Sequence, residues 1–138
     1  MPLQSQYSLR FKRFFCIACA DDTAASDQAL ASLQQQLNQL VAETLTAAAA
    51  ITVQTQLQQW LADVPQALAQ QRVNDVLAIG ERLSASLLSE LLKQRGLNAT
   101  ALDARDFLRL KQHQPDWAAS ASLLAKYTQP GCIHVVTG

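Results

Sequence analysis

Glycine is scarce in this sequence, with four residues among 138. A loop that surrounds a phosphate needs clustered glycines, because its backbone N–H groups must approach the anion closely. The four glycines are Gly80, Gly96, Gly131 and Gly138, and no two of them are neighbours or part of one cluster. The sequence therefore contains no segment of the type that binds the phosphates of a nucleotide.

An excess of charge is also missing, because eleven Lys and Arg residues balance eleven Asp and Glu residues. This balance predicts neither a basic surface for nucleic acid nor an acidic surface for a cationic partner. No apolar run approaches the roughly 20 residues that span a bilayer. The run at 14–20 is short and ends at Asp21 and Asp22. We expect a cytoplasmic protein with no nucleic-acid or membrane partner.

Cysteine is rare and odd in number, with Cys16, Cys19 and Cys132. An odd count favours reduced thiols over disulfides. Together with His134, these cysteines have the ligand types of a zinc site, which is one alternative. However, residues three apart in a strand face opposite sides, so Cys16 and Cys19 would diverge. We therefore predict buried, unreactive thiols and no metal site.

Apolar residues are abundant, at 49% of the chain, and a chain of this length suits one packed domain. Residues 11–19 are rich in aromatic and β-branched side chains and predict a buried strand. Ser26 or Asp27 then suits the N-cap of a helix. The following apolar residues recur at three- and four-residue steps, with glutamines between them, and predict one long amphipathic helix. They are Leu30, Leu33, Leu37, Leu40, Val41 and Leu45.

The spacing of the apolar residues changes after the helix-rich segment 28–71. Residues 74–80 predict a short strand that stops at Gly80. Glu81 then begins a leucine-rich helix that ends at Gly96, a residue type favoured after a helix C-terminus.

Two further strands are predicted at 98–103 and 132–136, with a short helix that starts at Pro115 between them. Short apolar strands separated by helices indicate a mostly parallel sheet that is covered on both faces. The sequence thus predicts an α/β fold with three or four parallel strands and more helix than strand. Residues 1–10 form a tail, and 11–138 form the domain.

Glu81 is the candidate binding residue that the residue pattern itself supplies. A carboxylate after a parallel strand lies at the carboxyl edge of the sheet, where open α/β sheets bind ligands. The positive end of the helix dipole favours the ionised form of this carboxylate, and a carboxylate accepts hydrogen bonds from an ammonium group. A glutamate that only stabilises its own helix is the simpler alternative.

The order of residues between 80 and 105 resembles a known family. It comprises Gly80-Glu81-Arg82-Leu83-Ser84-Ala85, a leucine-rich helix, Arg95-Gly96-Leu97 and Leu102-Asp103-Ala104-Arg105. This arrangement resembles the aspartokinases, and most of all the kinase half of the bifunctional aspartokinase–homoserine dehydrogenases. The ending at 134–138 is similar to the family strand before the glycine-rich catalytic half, and residues 11–27 are more weakly similar to its first strand and helix.

The resemblance implies a partial three-layer αβα sandwich, which is an incomplete amino-acid-kinase fold. It also implies that Glu81 binds the amino group of the substrate and that Ser26 helps to hold the substrate carboxylate. A further family serine falls near Ala18 or Cys19, where this chain has no hydroxyl.

The family activity is the ATP- and Mg²⁺-dependent phosphorylation of L-aspartate, towards lysine, methionine and threonine. The family segments Lys-Phe-Gly-Gly and Gly-Arg-Gly-Gly-Ser-Asp have no counterpart here. Because phosphoryl transfer depends on positioning and neutralising the phosphates, we expect this chain alone to be inactive, with no catalytic residue and no bound cofactor.

The alternative function is a non-catalytic module that senses an amino acid or binds a protein. An incomplete sheet leaves strand edges and apolar surface uncovered. We therefore expect a homo-oligomer, or pairing with a full-length kinase.

Overall fold

The computed structural model of the chain describes residues 23–137. The expected tail at 1–10, the predicted strand at 11–19, and Cys16 with Cys19 lie outside this range. Contacts divide the chain into two compact units, with the division after Gly80. The helices are α1 (Thr23–Thr44), α2 (Ala47–Ala62), α3 (Val64–Ala69), α4 (Val73–Gln94), α5 (Ala104–Phe107) and α6 (Trp117–Tyr127), and the strands are β1 (Ala99–Leu102), β2 (Leu110–Lys111), β3 (Gln114–Pro115) and β4 (Ile133–Val136).

The first unit is helical, and α1 packs against α2. Both helices bury one apolar stripe with a four-residue repeat, as the sequence predicts for α1. Glutamines occupy much of the exposed side of both helices. In the described part of the chain, no helix has both the length and the apolar character to cross a membrane. The buried stripes are Leu33, Leu37 and Val41 of α1, with Leu45 just after it, and Ala50, Val53, Leu57 and Leu61 of α2.

The start of α1 differs from the prediction. Ser26 and Asp27 lie inside the helix, which already includes Thr23, so neither residue is its N-cap. Ser26 is half-buried and Asp27 is exposed. The alanines at 47–50 do not continue α1 but begin α2.

The predicted strand at 74–80 is wrong, because these residues form the first part of α4. Val76, Ile79 and Leu83 are buried at helical spacing, whereas Leu77 is 46% exposed. In a strand, every second residue would be buried on one face. The buried residues here are instead three and four positions apart, close to the 3.6 residues per turn of an α-helix. Four consecutive apolar residues, Val76 to Ile79, also fit a buried strand, which is why the local pattern was ambiguous.

The second unit contains the parallel pair β1–β4, in which Ala99 aligns with Ile133 and Leu102 with Val136. Both strands agree with the sequence prediction. In place of the predicted three or four parallel strands, the described residues contain these two and the short antiparallel hairpin β2–β3. The fold is α/β, mostly helical, with a short parallel sheet, as predicted.

The helix α6 begins later than predicted. Pro115 pairs with Leu110 in the hairpin, and the helix starts at Trp117. The carboxylate of Asp116 accepts a hydrogen bond from the backbone N–H of Ala119 at 3.0 Å, so Asp116 is the N-cap.

Candidate functional site

The carboxyl edge of the β1–β4 pair brings together charged and hydroxyl side chains of the second unit. Asp103 follows β1 directly and caps α5, where its carboxylate accepts from the backbone N–H of Arg105 at 3.0 Å. Thr137 follows β4. Because parallel strands end at the same edge, the two residues reach one side of the sheet, where open α/β sheets place ligands.

Asp103 is also the centre of an ion cluster. Arg105 donates from Nε to Oδ1 of Asp103 at 3.0 Å and from Nη2 to Oδ2 at 2.7 Å. Arg82, from α4, places its Nε 3.4 Å from the same Oδ2. We call Arg82, Asp103 and Arg105 the edge cluster.

The ionised form of Asp103 is stabilised in the fold. Its side chain is 16% exposed. The hydrogen bond from the Arg105 side chain is the main reason that the pKa of Asp103 lies below its ordinary value. Burial acts in the opposite direction, and the backbone N–H and the positive charges of both arginines add to the lowering. The carboxylate therefore stays charged and holds both guanidinium groups in place.

Thr137 joins the ends of the two strands. Its hydroxyl oxygen accepts from the backbone N–H of Ala104 at 2.8 Å, and its own N–H donates to the carbonyl of Leu102 at 3.0 Å. These bonds extend the parallel pairing by one residue beyond β4 and fix the turn that carries Asp103.

Glu81 precedes Arg82 in α4 and is exposed. It lies inside the helix, so the expected position at a helix N-terminus directly after a strand is wrong. Its neighbour Arg82 nevertheless reaches the carboxyl edge of the sheet through Asp103. Glu81 is thus the immediate chain neighbour of one member of the edge cluster. The role of Glu81 in binding an amino group stays a prediction.

Ser26, the second predicted site residue, belongs to the first unit, whereas Glu81 belongs to the second. Its predicted role at the substrate carboxylate also stays a prediction.

The edge cluster has chemistry that suits a small zwitterion. Guanidinium groups present several N–H donors in a fixed plane and bind carboxylates well. A glutamate carboxylate, such as that of Glu81, can accept hydrogen bonds from an ammonium group. Asp103 and Thr137 are both hydrogen-bonded to the backbone at the strand ends, which fixes the positions of their side chains.

The residues of the zinc alternative are only partly described. Cys132 is half-buried, with its Sγ 3.6 Å from the carbonyl oxygen of Ile133. The Nε2 of His134 accepts from the backbone N–H of Gln129 at 3.1 Å. Between residues 23 and 137, no group of three or more His, Cys, Asp or Glu side chains could hold a metal ion.

Sequence reasoning identified the segment around Asp103 and Arg105 only through its resemblance to a family. It missed the contact between Arg82 and Asp103 and the hydrogen bonds of Thr137. A local signal existed for Asp103, since an Asp directly after a predicted strand suits a helix N-cap. The partner in α4 is twenty-one residues away in sequence, and no spacing rule identifies such a pair.

Comparisons with known proteins give one result at the level of the family. The amino acid kinase family matches residues 4–138, which is nearly the whole chain. Searches of curated proteins and of solved structures find no match. The chain therefore belongs to the amino acid kinase family.

Proposed function

We propose that this chain is the substrate-side part of an aspartokinase-like protein and that Glu81 binds the ammonium group of L-aspartate or a related amino acid. The family match supports a link to kinase-type phosphoryl transfer. The choice of aspartate rests on the resemblance of residues 80–105 to the aspartokinases. In this proposal Ser26 contributes to holding the substrate carboxylate.

The observation that carries the proposal is the ion pair between Arg82 and Asp103. It links Arg82, the residue after Glu81 in α4, to Asp103, the residue after β1. A carboxylate and guanidinium groups then lie near the edge where α/β sheets bind ligands. The same residues form the segments that resemble the aspartokinases.

We further propose that the chain does not transfer a phosphoryl group by itself. Gly80 lies within α4, and Gly96 and Gly131 adopt left-handed conformations at turns. None of these three glycines belongs to a glycine-rich loop that could surround phosphates. ATP and Mg²⁺ are therefore assigned to the complete family domain and not to this chain.

The binding proposal is tested by thermal unfolding with L-aspartate and with succinate, which lacks the amino group. A ligand at 100 times its dissociation constant stabilises the folded state by about 2.7 kcal/mol, enough to raise the midpoint measurably. L-Aspartate should raise the midpoint more than succinate does. Glu81→Gln should abolish this difference, because the neutral amide loses the charge that attracts an ammonium group.

Glu43→Gln is the matched control, since Glu43 is also an exposed glutamate inside a helix but has no role in the proposed site. It should bind L-aspartate as the wild type does. Ser26→Ala should weaken L-aspartate and succinate alike, because both carry the carboxylate. If L-aspartate and other amino acids leave the midpoint unchanged, the proposed site is wrong.

The absence of catalysis is tested by measuring ADP release from Mg-ATP with and without L-aspartate. We expect no aspartate-dependent release. Turnover that requires aspartate would show that this chain holds a working phosphate site, and would contradict this half of the proposal only.

A second function is a protein-interaction module. It is favoured by the large apolar side chains exposed on the second unit, among them Leu110 and Trp117. Such a module would respond to neither aspartate nor ATP in the assays above.

A further inference from the structure

The guanidinium group of Arg105 is held in a fixed plane at the carboxyl edge of the parallel strands. Its Nε donates to both oxygens of Asp103, to Oδ1 at 3.0 Å and to Oδ2 at 3.1 Å. Its Nη2 donates to Oδ2 at 2.7 Å. Hydrogen bonds between a guanidinium and a carboxylate are short and strong because both groups are charged. Asp103 therefore fixes the orientation of the Arg105 head group.

Arg105 is also accessible to solvent. Its side chain is 45% exposed, compared with 28% for Arg82, the other arginine of the edge cluster. The contact of Arg82 with Asp103 is longer, at 3.4 Å. Of the two guanidinium groups, that of Arg105 is therefore held more closely by Asp103 and is better placed to meet a dissolved ligand.

The turn that holds Arg105 is itself fixed by Thr137. The carboxylate of Asp103 accepts from the backbone N–H of Arg105 at 3.0 Å, which shapes the start of α5. Ala104, the residue between them, donates its backbone N–H to the hydroxyl oxygen of Thr137 at 2.8 Å. The hydroxyl of Thr137 thus connects the end of β4 to the short turn from which Arg105 extends.

A guanidinium in a fixed plane distinguishes a carboxylate from an amide of the same shape. The guanidinium presents only N–H donors, and two of them can meet the two oxygens of a carboxylate. An amide offers one oxygen, and its NH₂ group would face another donor. The loss of a hydrogen bond to a charged group weakens binding by about tenfold or more.

Asp103 and Arg82 connect Arg105 to the proposed ammonium-binding residue. Both guanidinium groups contact Oδ2 of Asp103. Glu81 is the residue before Arg82 in α4. A cation for a carboxylate and an anion for an ammonium group are therefore linked through one ion cluster, at the edge where α/β sheets bind ligands.

We propose that Arg105 is a specificity-determining residue, which binds the side-chain carboxylate of the amino acid whose ammonium group Glu81 binds. Thr137 is a positioning residue, which acts on Arg105 through the turn that contains Asp103. The inference rests on the proposed amino-acid site. It adds the residue by which that site selects an acidic amino acid over the corresponding amide.

Isothermal titration calorimetry with L-aspartate and L-asparagine tests the inference, because the two ligands differ only at the end of the side chain. The wild type should bind L-aspartate at least about tenfold more tightly than L-asparagine. Arg105→Gln should abolish this preference, because it removes the charge and the paired donors. Arg105→Lys should retain a smaller preference, because an ammonium group keeps the charge but not the planar pair of donors.

Arg95→Gln is the matched control, since Arg95 is also an exposed arginine of the second unit but follows the end of α4. It should keep the full preference for L-aspartate. Glu81→Gln should weaken the binding of both ligands alike, because both carry the ammonium group. It should therefore leave the ratio of the two dissociation constants unchanged.

Thr137→Val and Thr137→Ser test the positioning role. Valine has the shape of threonine but no hydroxyl, so Ala104 loses its hydrogen-bond acceptor and the preference should fall at least about threefold. Serine keeps the hydroxyl and should keep the preference. If Thr137→Val does not fold, as judged by circular dichroism, the two Arg105 variants decide the question.

A wild type that binds L-aspartate and L-asparagine equally overturns the inference and leaves the proposed ammonium site intact. An undiminished preference in Arg105→Gln overturns it as well. If neither ligand binds, the proposed amino-acid site is wrong, and this inference is wrong with it.

Discussion

At the scale of single residues, Asp103 is the carboxylate at the centre of the edge cluster. Asp103→Asn keeps a side chain able to cap α5 but removes the charge that holds Arg82 and Arg105. The cluster is partly exposed, so solvent screening limits the effect. We expect a loss of about 1 kcal/mol in the free energy of unfolding near pH 7, measured by urea denaturation.

The same variant has a defined pH dependence. The folded-state pKa of Asp103 is lowered, so its stabilisation is present above the unfolded-state pKa and is lost as pH falls through the folded value. The difference between wild type and Asp103→Asn should be constant at neutral pH and should shrink below about pH 4. A difference that persists undiminished into strong acid would contradict the charge-based explanation.

Ser89 differs from Asp103, because its polar group is buried without a hydrogen bond to offset the cost of burial. Its residue is 2% exposed, and its hydroxyl has no hydrogen-bond partner among the described residues. Ser89→Ala removes this buried hydroxyl and improves helix propensity, so it should raise the free energy of unfolding by about 1 kcal/mol.

Ser120→Ala is the control for Ser89. Ser120 is similarly buried, but its hydroxyl accepts from the backbone N–H of Arg109 at 2.9 Å. Its removal should lower the free energy of unfolding by about 1 kcal/mol. Equal effects of the two substitutions would show that burial of the hydroxyl, and not its bonding, decides the outcome.

At the scale of elements, the end of α3 is built like the end of α4. At α4, Gly96 has a φ of 78°, and the N–H groups of Gly96 and Leu97 donate to the carbonyls of Lys93 and Leu92. This pair of backbone hydrogen bonds, with a left-handed residue after the helix, is a Schellman motif. At α3 the same pattern occurs with Gln71, at a φ of 57°, in the position of the glycine.

Gln71→Gly should therefore stabilise the protein. The left-handed conformation costs a residue with a Cβ roughly 1 kcal/mol, and glycine avoids this cost. We expect a higher thermal midpoint and a gain of up to about 1 kcal/mol. Gln59→Gly, at an exposed position inside α2, should instead lose about 1 kcal/mol. A loss at both positions would mean that α3 does not end in this motif.

The elements also show which parts of the fold the sequence could predict. The long period in α1 and the strands β1 and β4 were recoverable, because apolar spacing and turn residues agree there. Residues 74–80 were not, because Val76–Ile79 is apolar at every position and fits either period. The packing that buries Val76 and Ile79 but leaves Leu77 exposed decides the matter, and only the fold provides it.

The candidate site was predictable to a similar extent. The sequence identifies residues 80–105 as a segment that resembles the aspartokinases, and this segment includes Asp103 and Arg105. Within it, the sequence singles out Glu81 as a candidate binding carboxylate. The geometric reason given for Glu81 failed with the strand at 74–80. The contact that now relates Glu81 to the sheet edge, through Arg82, is a long-range ion pair.

At the scale of the whole molecule, the two units have different interiors. The first buries a continuous set of Leu and Val side chains, including Leu37 and Leu57, which are at most 1% exposed. In the second unit, the buried residues include three serines, Ser86, Ser89 and Ser120. Buried aliphatic groups are the main source of stability, so the first unit should be the more resistant to local unfolding.

Leu57→Ala tests this difference. Removing a fully buried leucine should lower the free energy of unfolding of the first unit by about 2–5 kcal/mol. Amide hydrogen exchange should be slowest in α1 and α2 of the wild type, and should accelerate there in the variant. Ile51→Ala should change the free energy of unfolding by less than about 0.5 kcal/mol, because its side chain is exposed. Slower exchange in residues 104–116 than in α2 would contradict this picture.

The positions of the two tryptophans provide built-in optical reporters. Trp60 is half-buried in the first unit and Trp117 is largely hydrated in the second. Their emission spectra should differ, since an indole in water emits at longer wavelength than one in an apolar surrounding. Trp60→Phe or Trp117→Phe would leave one tryptophan, and its emission would then report on the unfolding of its own unit.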